Sequence, residues 1–161
     1  MNGYWVIVAD GAQARFMALE RHDDAPQRAA RRLVESARLS NPEHTVSGRR
    51  DARKIKSGRD TGRSRVAPHG FTDHREPHET ELLRRFAGRI GEQAATLAAN
   101  GKASTMVLVA DTRMLGFLHA ALEPVVKAGV ALRELARDYT WCTAPQVQQY
   151  LSDNGLLPGA R

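Results

Sequence analysis

Eight cations, Arg49, Arg50, Arg53, Lys54, Lys56, Arg59, Arg63 and Arg65, fall between Ser47 and Ala67, where the only anions are Asp51 and Asp60. The surplus of six equals the net charge of the whole 161-residue chain, +6, so the sixteen cations and sixteen anions elsewhere cancel. Gaps of one to four residues along a segment with no apolar period suit a chain that follows phosphates, to which arginine's planar fork donates two bonds at once. No aromatic residue lies among these cations. Base stacking is therefore not expected within the segment, and binding to RNA or to the ribosome should run through the phosphate backbone with little sequence preference. An acidic protein partner or an anionic membrane surface would meet the same charge, and a solvated linker would explain it with no partner at all.

Two carboxylates suggest a different chemistry. Asp10 and Asp111 each follow a Val-x-Val-Ala run, and adjacent parallel strands would set them side by side. Metal-dependent nucleases use such pairs to hold two ions, and Glu79 or Glu81 is available as a third ligand. Yet Asp10 precedes Gly11 in a turn and Asp111 precedes a helix, positions that favour aspartate for turn and cap reasons alone. The structural reading is preferred and the nuclease is kept as the alternative. His69, His74 and His78, with Asp73 and Glu79 nearby, match no tight ligand spacing and are interrupted by Pro77. They read as a solvated cluster at a helix entry. Gly58 to Gly62 lacks the Lys-Ser/Thr ending and the preceding strand of a phosphate-binding loop. Ser104 and Ser152 have no neighbouring base. No catalytic residue, metal or cofactor is assigned, and the reading favours a binding module over an enzyme. Cys142 is the single cysteine, expected as an inert buried or half-buried thiol in a reducing compartment. Trp141 beside it is expected to pack against the last helix.

The elements that position these residues follow from hydrophobic period. Tyr4 to Ala9 is a β-branched and aromatic run; Asp10-Gly11 signals a hairpin into Gln13 to Glu20, with Ala14, Phe16 and Ala18 on one side and Arg15, Met17 and Leu19 on the other. Arg32 to Leu39 reads as a third strand. The stretch from Ser40 to Glu76 has no apolar period, and its glycines and serines deny it a packed core. Pro77 opens a helix with Leu82, Leu83, Phe86, Ala87, Ile90, Ala94, Leu97 and Ala98 on one stripe, stopped by Asn100-Gly101. Thr105 to Ala110 reads as a strand covered on both faces. Asp111 caps a second helix that breaks near Pro124, Val130 to Ala136 is a last strand, and Thr143-Ala144-Pro145 starts a terminal helix with Val147, Tyr150 and Leu151 on one face. The predicted fold is α/β: a single mixed five-stranded sheet with helices on both faces. A three-strand meander followed by right-handed βα crossovers is the ribonuclease-H-like arrangement.

With 42% hydrophobic residues, the length suits one domain over residues 1–161 carrying a long basic loop at about 40–76. No apolar run approaches the roughly 18 residues that would span a bilayer, and the opening residues lead straight into a strand without the pattern of a secretion signal. A cytoplasmic location is expected; the oligomeric state is left open.

Five pieces in order carry a resemblance: Trp5 to Arg15, the basic Gly/Ser loop ending in His69, Thr72 to Phe86, Leu115-Gly116-Phe117-Leu118, and Arg137-Asp138-Tyr139-Thr140. They are similar to the bacterial host attachment proteins, described as required for attachment to host cells. That family resembles in turn the middle domain of archaeal and eukaryotic peptide-chain release factors and of Pelota. In the release factors, the loop between third strand and first long helix carries a Gly-Gly-Gln that acts at the peptidyl-transferase centre. This chain has no Gly-Gly pair and no glutamine between Gln27 and Gln93. The resemblance therefore implies a basic arm on an α/β body, closer to Pelota's ribosome binding than to peptidyl-tRNA hydrolysis.

Overall fold

Consecutive apolar side chains leave the first and fourth strands no face that tolerates water, and the chain places them side by side at the centre of one sheet. The computed structural model describes residues 3–21, 30–44 and 75–158, apart from the side chains of residues 75 and 76. The strands are β1 (Tyr4–Ala9), β2 (Gln13–Arg21), β3 (Arg31–Ser40), β4 (Thr105–Ala110) and β5 (Ala131–Ala136), in the spatial order β3-β2-β1-β4-β5. β2 pairs antiparallel with both its neighbours, whereas β1–β4 and β4–β5 are parallel, so β2 alone runs against the rest. The expected mixed five-stranded sheet is what forms. The aperiodic stretch is shorter at both ends than the sequence suggests: Ser40 closes β3, residues 42–44 are helical, and the long helix already includes Arg75 and Glu76. Pro77 thus sits within the first turn, where its missing N–H removes no bond.

Alternation sorts the side chains into two cores. On one face Trp5, Ile7, Phe16, Met106 and Leu108 pack under α1 (Arg75–Ala99), α2 (Thr112–Ala121) and α3 (Glu123–Lys127) through Phe86, Ile90, Met114, Leu118 and Val125. On the other, Val6, Val8, Met17, Leu33, Val107 and Val109 meet Val147 and Leu151 of α4 (Ala144–Asp153). The predicted stripe of α1 is the buried one. Gly91 lies where a Cβ would come within 2.6 Å of the Ala121 carbonyl oxygen, which is why α1 and α2 can cross closely. Gly101, at φ 66°, ends α1: its N–H and that of Lys102 donate to the carbonyls of Ala98 and Leu97, the two bonds of a left-handed C-terminal cap. α4 opens with a capping box between Thr143 and Gln146. Its Gln148 side chain reaches the sheet edge, accepting from Leu33 N at 2.8 Å and donating to Arg31 O at 2.8 Å. Backbone groups that an edge strand would leave open are satisfied there.

The hairpin forms as expected but by a different device. Gly11 has no positive φ, so this is not the mirror-image turn that Asp-Gly usually signals. Asp10 instead accepts from the N–H groups of Ala12 and Gln13, both at 2.7 Å, an Asx turn. Gly11 is wanted for room: a Cβ there would press on Leu83 and His44 at 3.1 and 3.2 Å.

Candidate functional site

Because β1, β3, β4 and β5 run the same way, their carboxyl ends share one rim of the sheet. Open α/β sheets place their ligands beyond this rim. Here it collects Asp10, Asn41, Asp111 and the segment 137–143. Asn41, buried after the last residue of β3, donates its backbone N–H to Ala12 O at 2.7 Å and its side chain to Gly11 O at 2.9 Å. The stem of the long connection is thereby pinned against the hairpin. The first turns of α1 close on the same corner, where Arg85 pairs with Glu43 and Glu81.

The most heavily bonded group of the rim is Arg15, which the sequence reading placed correctly on the Met17 face but gave no role. Its side chain is only 6% exposed. Nε and Nη2 donate to Glu35 Oε2 at 3.0 and 2.8 Å, and Nη1 donates to the carbonyls of Thr140 at 3.1 Å and Cys142 at 2.5 Å. Glu35 Oε1 also accepts from Arg38, whose Nη2 lies 2.8 Å away. A bulge makes this triad possible. The register jumps between Phe16 opposite Ala37 and Met17 opposite Glu35, leaving Ser36 as an extra residue. Residues three apart on a regular strand face opposite ways; with one inserted, Glu35 and Arg38 share the face of Arg15. Burial pushes the Glu35 carboxyl upward, but the hydrogen bonds and positive charges of Arg15 and Arg38 outweigh it and hold its pKa below the ordinary 4.5.

Segment 137–143 crosses from β5 to β2 and is fixed throughout. Asp138 accepts from Thr140 N and from Thr140 Oγ1, at 3.2 and 2.6 Å, Cys142 N donates to Tyr139 O at 3.0 Å, and Thr143 begins the capping box. Trp141 corrects the expectation that it packs on the last helix: it is 84% exposed. Tyr139 holds that place instead, its ring centroid 5.0 Å from that of Tyr150 on α4. With the carbonyls on both sides of Trp141 turned inward to Arg15, the indole faces out. Cys142 is half-buried and unbridged, as expected.

The other sequence candidates are found as follows. Arg49, Arg50, Arg53, Lys54, Lys56, Arg59, Arg63 and Arg65, with His69 and His74, lie outside the described residues. Asp10 and Asp111 do come to the ends of neighbouring parallel strands. Each serves local backbone: Asp10 in the Asx turn, Asp111 as N-cap accepting from Met114 N at 2.8 Å. Glu81 pairs with Arg84 and Arg85, while His78 and Glu79 are exposed. Among the described residues no group of three metal-ligating side chains occurs. A cleft of about 820 Å³ opens at the opposite end of the sheet, lined by Tyr4, Trp5, Leu19, Arg21, Arg31 and Lys102 among others. No buried side-chain polar atom among the described residues lacks a partner, so none points into it as a ligand anchor.

The model of the family described as "Protein required for attachment to host cells" matches residues 5–151. The chain belongs to this family. The match takes in the hairpin, the basic segment, Arg15 and Trp141. No curated protein matches the chain. Among solved structures, one chain in the cryo-EM structure of a CRISPR-Cas12f ternary complex is similar over 95% of this chain and 34% of its own, at 13% identity and a TM-score of 0.48. This host attachment family member therefore spans about a third of that chain's length. No helix among its described residues is long and apolar enough to cross a membrane.

Proposed function

We propose that this host attachment family member is a non-enzymatic module that binds RNA or the ribosome through the cations of residues 47–67. The observation that carries the reading is the confinement of the whole net charge of +6 to one connecting segment of an otherwise neutral chain. Its support is the position of the described residues that flank the connection: Asn41 is pinned to the hairpin at the carboxyl-end rim, and α1 begins at Arg75. The strand order, with only β2 reversed, also favours a ribonuclease-H-like sheet of the kind found in the release-factor middle domain, where the equivalent connection is the ribosome-reaching loop. In this reading residues 1–161 act as one domain in the cytoplasm, and Arg49, Arg50, Arg53, Lys54, Lys56, Arg59, Arg63 and Arg65 are the contacting residues. Asp10 and Asp111 take no part in it. Co-sedimentation with ribosomes from lysate tests it: the intact chain should pellet, and a chain lacking residues 47–67 should stay in the supernatant. Equal pelleting of both overturns the proposal.

A further inference from the structure

Burying an arginine is costly unless its donors are met, and here Arg15 is buried with two of its partners chosen from the main chain. Those partners are the carbonyls of Thr140 and Cys142, the residues on either side of Trp141. The turn is held again by Asp138, by the Cys142–Tyr139 bond and by the Thr143 cap. All of this fixes the backbone beneath one side chain, which is left 84% exposed. An indole in water on a rigid turn does nothing for the core. Rigid exposed aromatics instead form the stacking platforms of single-strand-binding proteins.

We infer that Trp141 is a base-stacking platform for single-stranded RNA. This rests on the RNA-binding reading and supplies what the aromatic-free basic segment lacks. Position favours the assignment: Arg15, which carries the Trp141 turn, is two residues along β2 from Gln13, about 7 Å at strand rise, and Gln13 pairs with Ser40 at the end of β3. The turn that carries the indole therefore shares the carboxyl-end rim of the sheet with Ser40, the last residue of β3. Charge favours it as well. Arg38 stands 51% exposed on the strand face that carries Arg15. Every base has a π-face, so the platform adds affinity without reading sequence.

The test uses the full chain and two probes of about ten nucleotides, a length within the site sizes of single-strand binders: an unstructured RNA and an abasic ribose-phosphate strand of equal charge. Trp141→Ala should weaken the RNA about 5- to 150-fold, the range that base stacking supplies per base, and leave the abasic strand unaffected. Trp141→Phe should retain most of the affinity. The RNA should quench indole emission, the abasic strand should not, and Trp141→Ala should abolish the quench because Trp5 is buried. If both probes bind equally, Trp141→Ala changes neither, and deletion of residues 47–67 abolishes both, the platform is wrong and the cationic reading stands. If RNA binding needs Trp141 but survives the deletion, the platform stands and the cationic reading falls. If the intact chain binds neither probe, or binds RNA with no change in indole emission, Trp141 is not a base platform.

Discussion

Glu35 is the residue on which the rim's electrostatics turn. Its carboxyl is 28% exposed and takes Arg15 on one oxygen and Arg38 on the other. Since its pKa is lower in the folded chain than the ordinary 4.5, the unfolded chain binds its proton more readily. The stability it contributes is therefore complete above the ordinary carboxylate range and is lost as pH falls through the lowered folded value. Thermal melts from about pH 7 down to about pH 3 should show this loss in the native chain and a flatter acid limb in Glu35→Gln. At neutral pH the same variant should be less stable by about 1–3 kcal/mol, the cost of leaving a charged donor short of its partner. That is below the about 3–5 kcal/mol of a fully buried pair, because Glu35 keeps some water. Asp111→Ala removes only a cap and should cost about 0.5–2 kcal/mol without altering RNA affinity. Loss of a magnesium-dependent activity in that variant would instead revive a catalytic role.

At the scale of elements, the two glycines of α1 make opposite predictions. Both lie in the middle of a helix, where alanine is ordinarily better by about 0.5–1 kcal/mol. At Gly88 a Cβ meets nothing within 4 Å, so Gly88→Ala should raise the melting temperature. At Gly91 it would lie 2.6 Å from a main-chain oxygen of Ala121, an atom that cannot rotate aside. Gly91→Ala should therefore be destabilising, by about 1–3 kcal/mol for an overpacked contact. Denaturation of the two variants side by side decides whether the close α1–α2 crossing is what holds Gly91.

Such pairs mark the limit of what the sequence could say. The strands and the stripe of α1 were legible because each depends on the local period of apolar residues. Arg15 was half legible: a charged residue between Gln13 and Met17, on a face expected to be buried, demands a partner. Glu35 was hidden by the bulge at Ser36, since a one-residue register shift leaves no mark in a run such as Val34-Glu35-Ser36-Ala37. Trp141 was misread for a related reason. Tryptophan's size argues for burial, and its exposure follows from carbonyls held by Arg15, 125 and 127 positions away in the chain.

For the whole molecule, the decisive property is that charge and fold are separable. The described body holds its shape through two apolar cores on either side of one sheet, and the excess positive charge sits in residues 47–67. If about four to six of the eight cations contact single-stranded phosphates, log affinity should fall with log salt at a slope of about −3 to −4, from roughly −0.7 per contact. Replacing Arg49, Arg50, Arg53 and Lys54 with glutamine should flatten that slope and weaken every RNA by a similar factor, because phosphate contacts position a protein without reading bases. The melting temperature should barely change, since solvated charges contribute little to folding. Trp141→Ala separates the two contributions from the other side: stacking releases no counterions, so affinity should drop while the slope stays as it was. A four-cation variant with unchanged affinity, or a sequence preference that persists at high salt, would place the binding surface elsewhere and reduce residues 47–67 to a connection between β3 and α1.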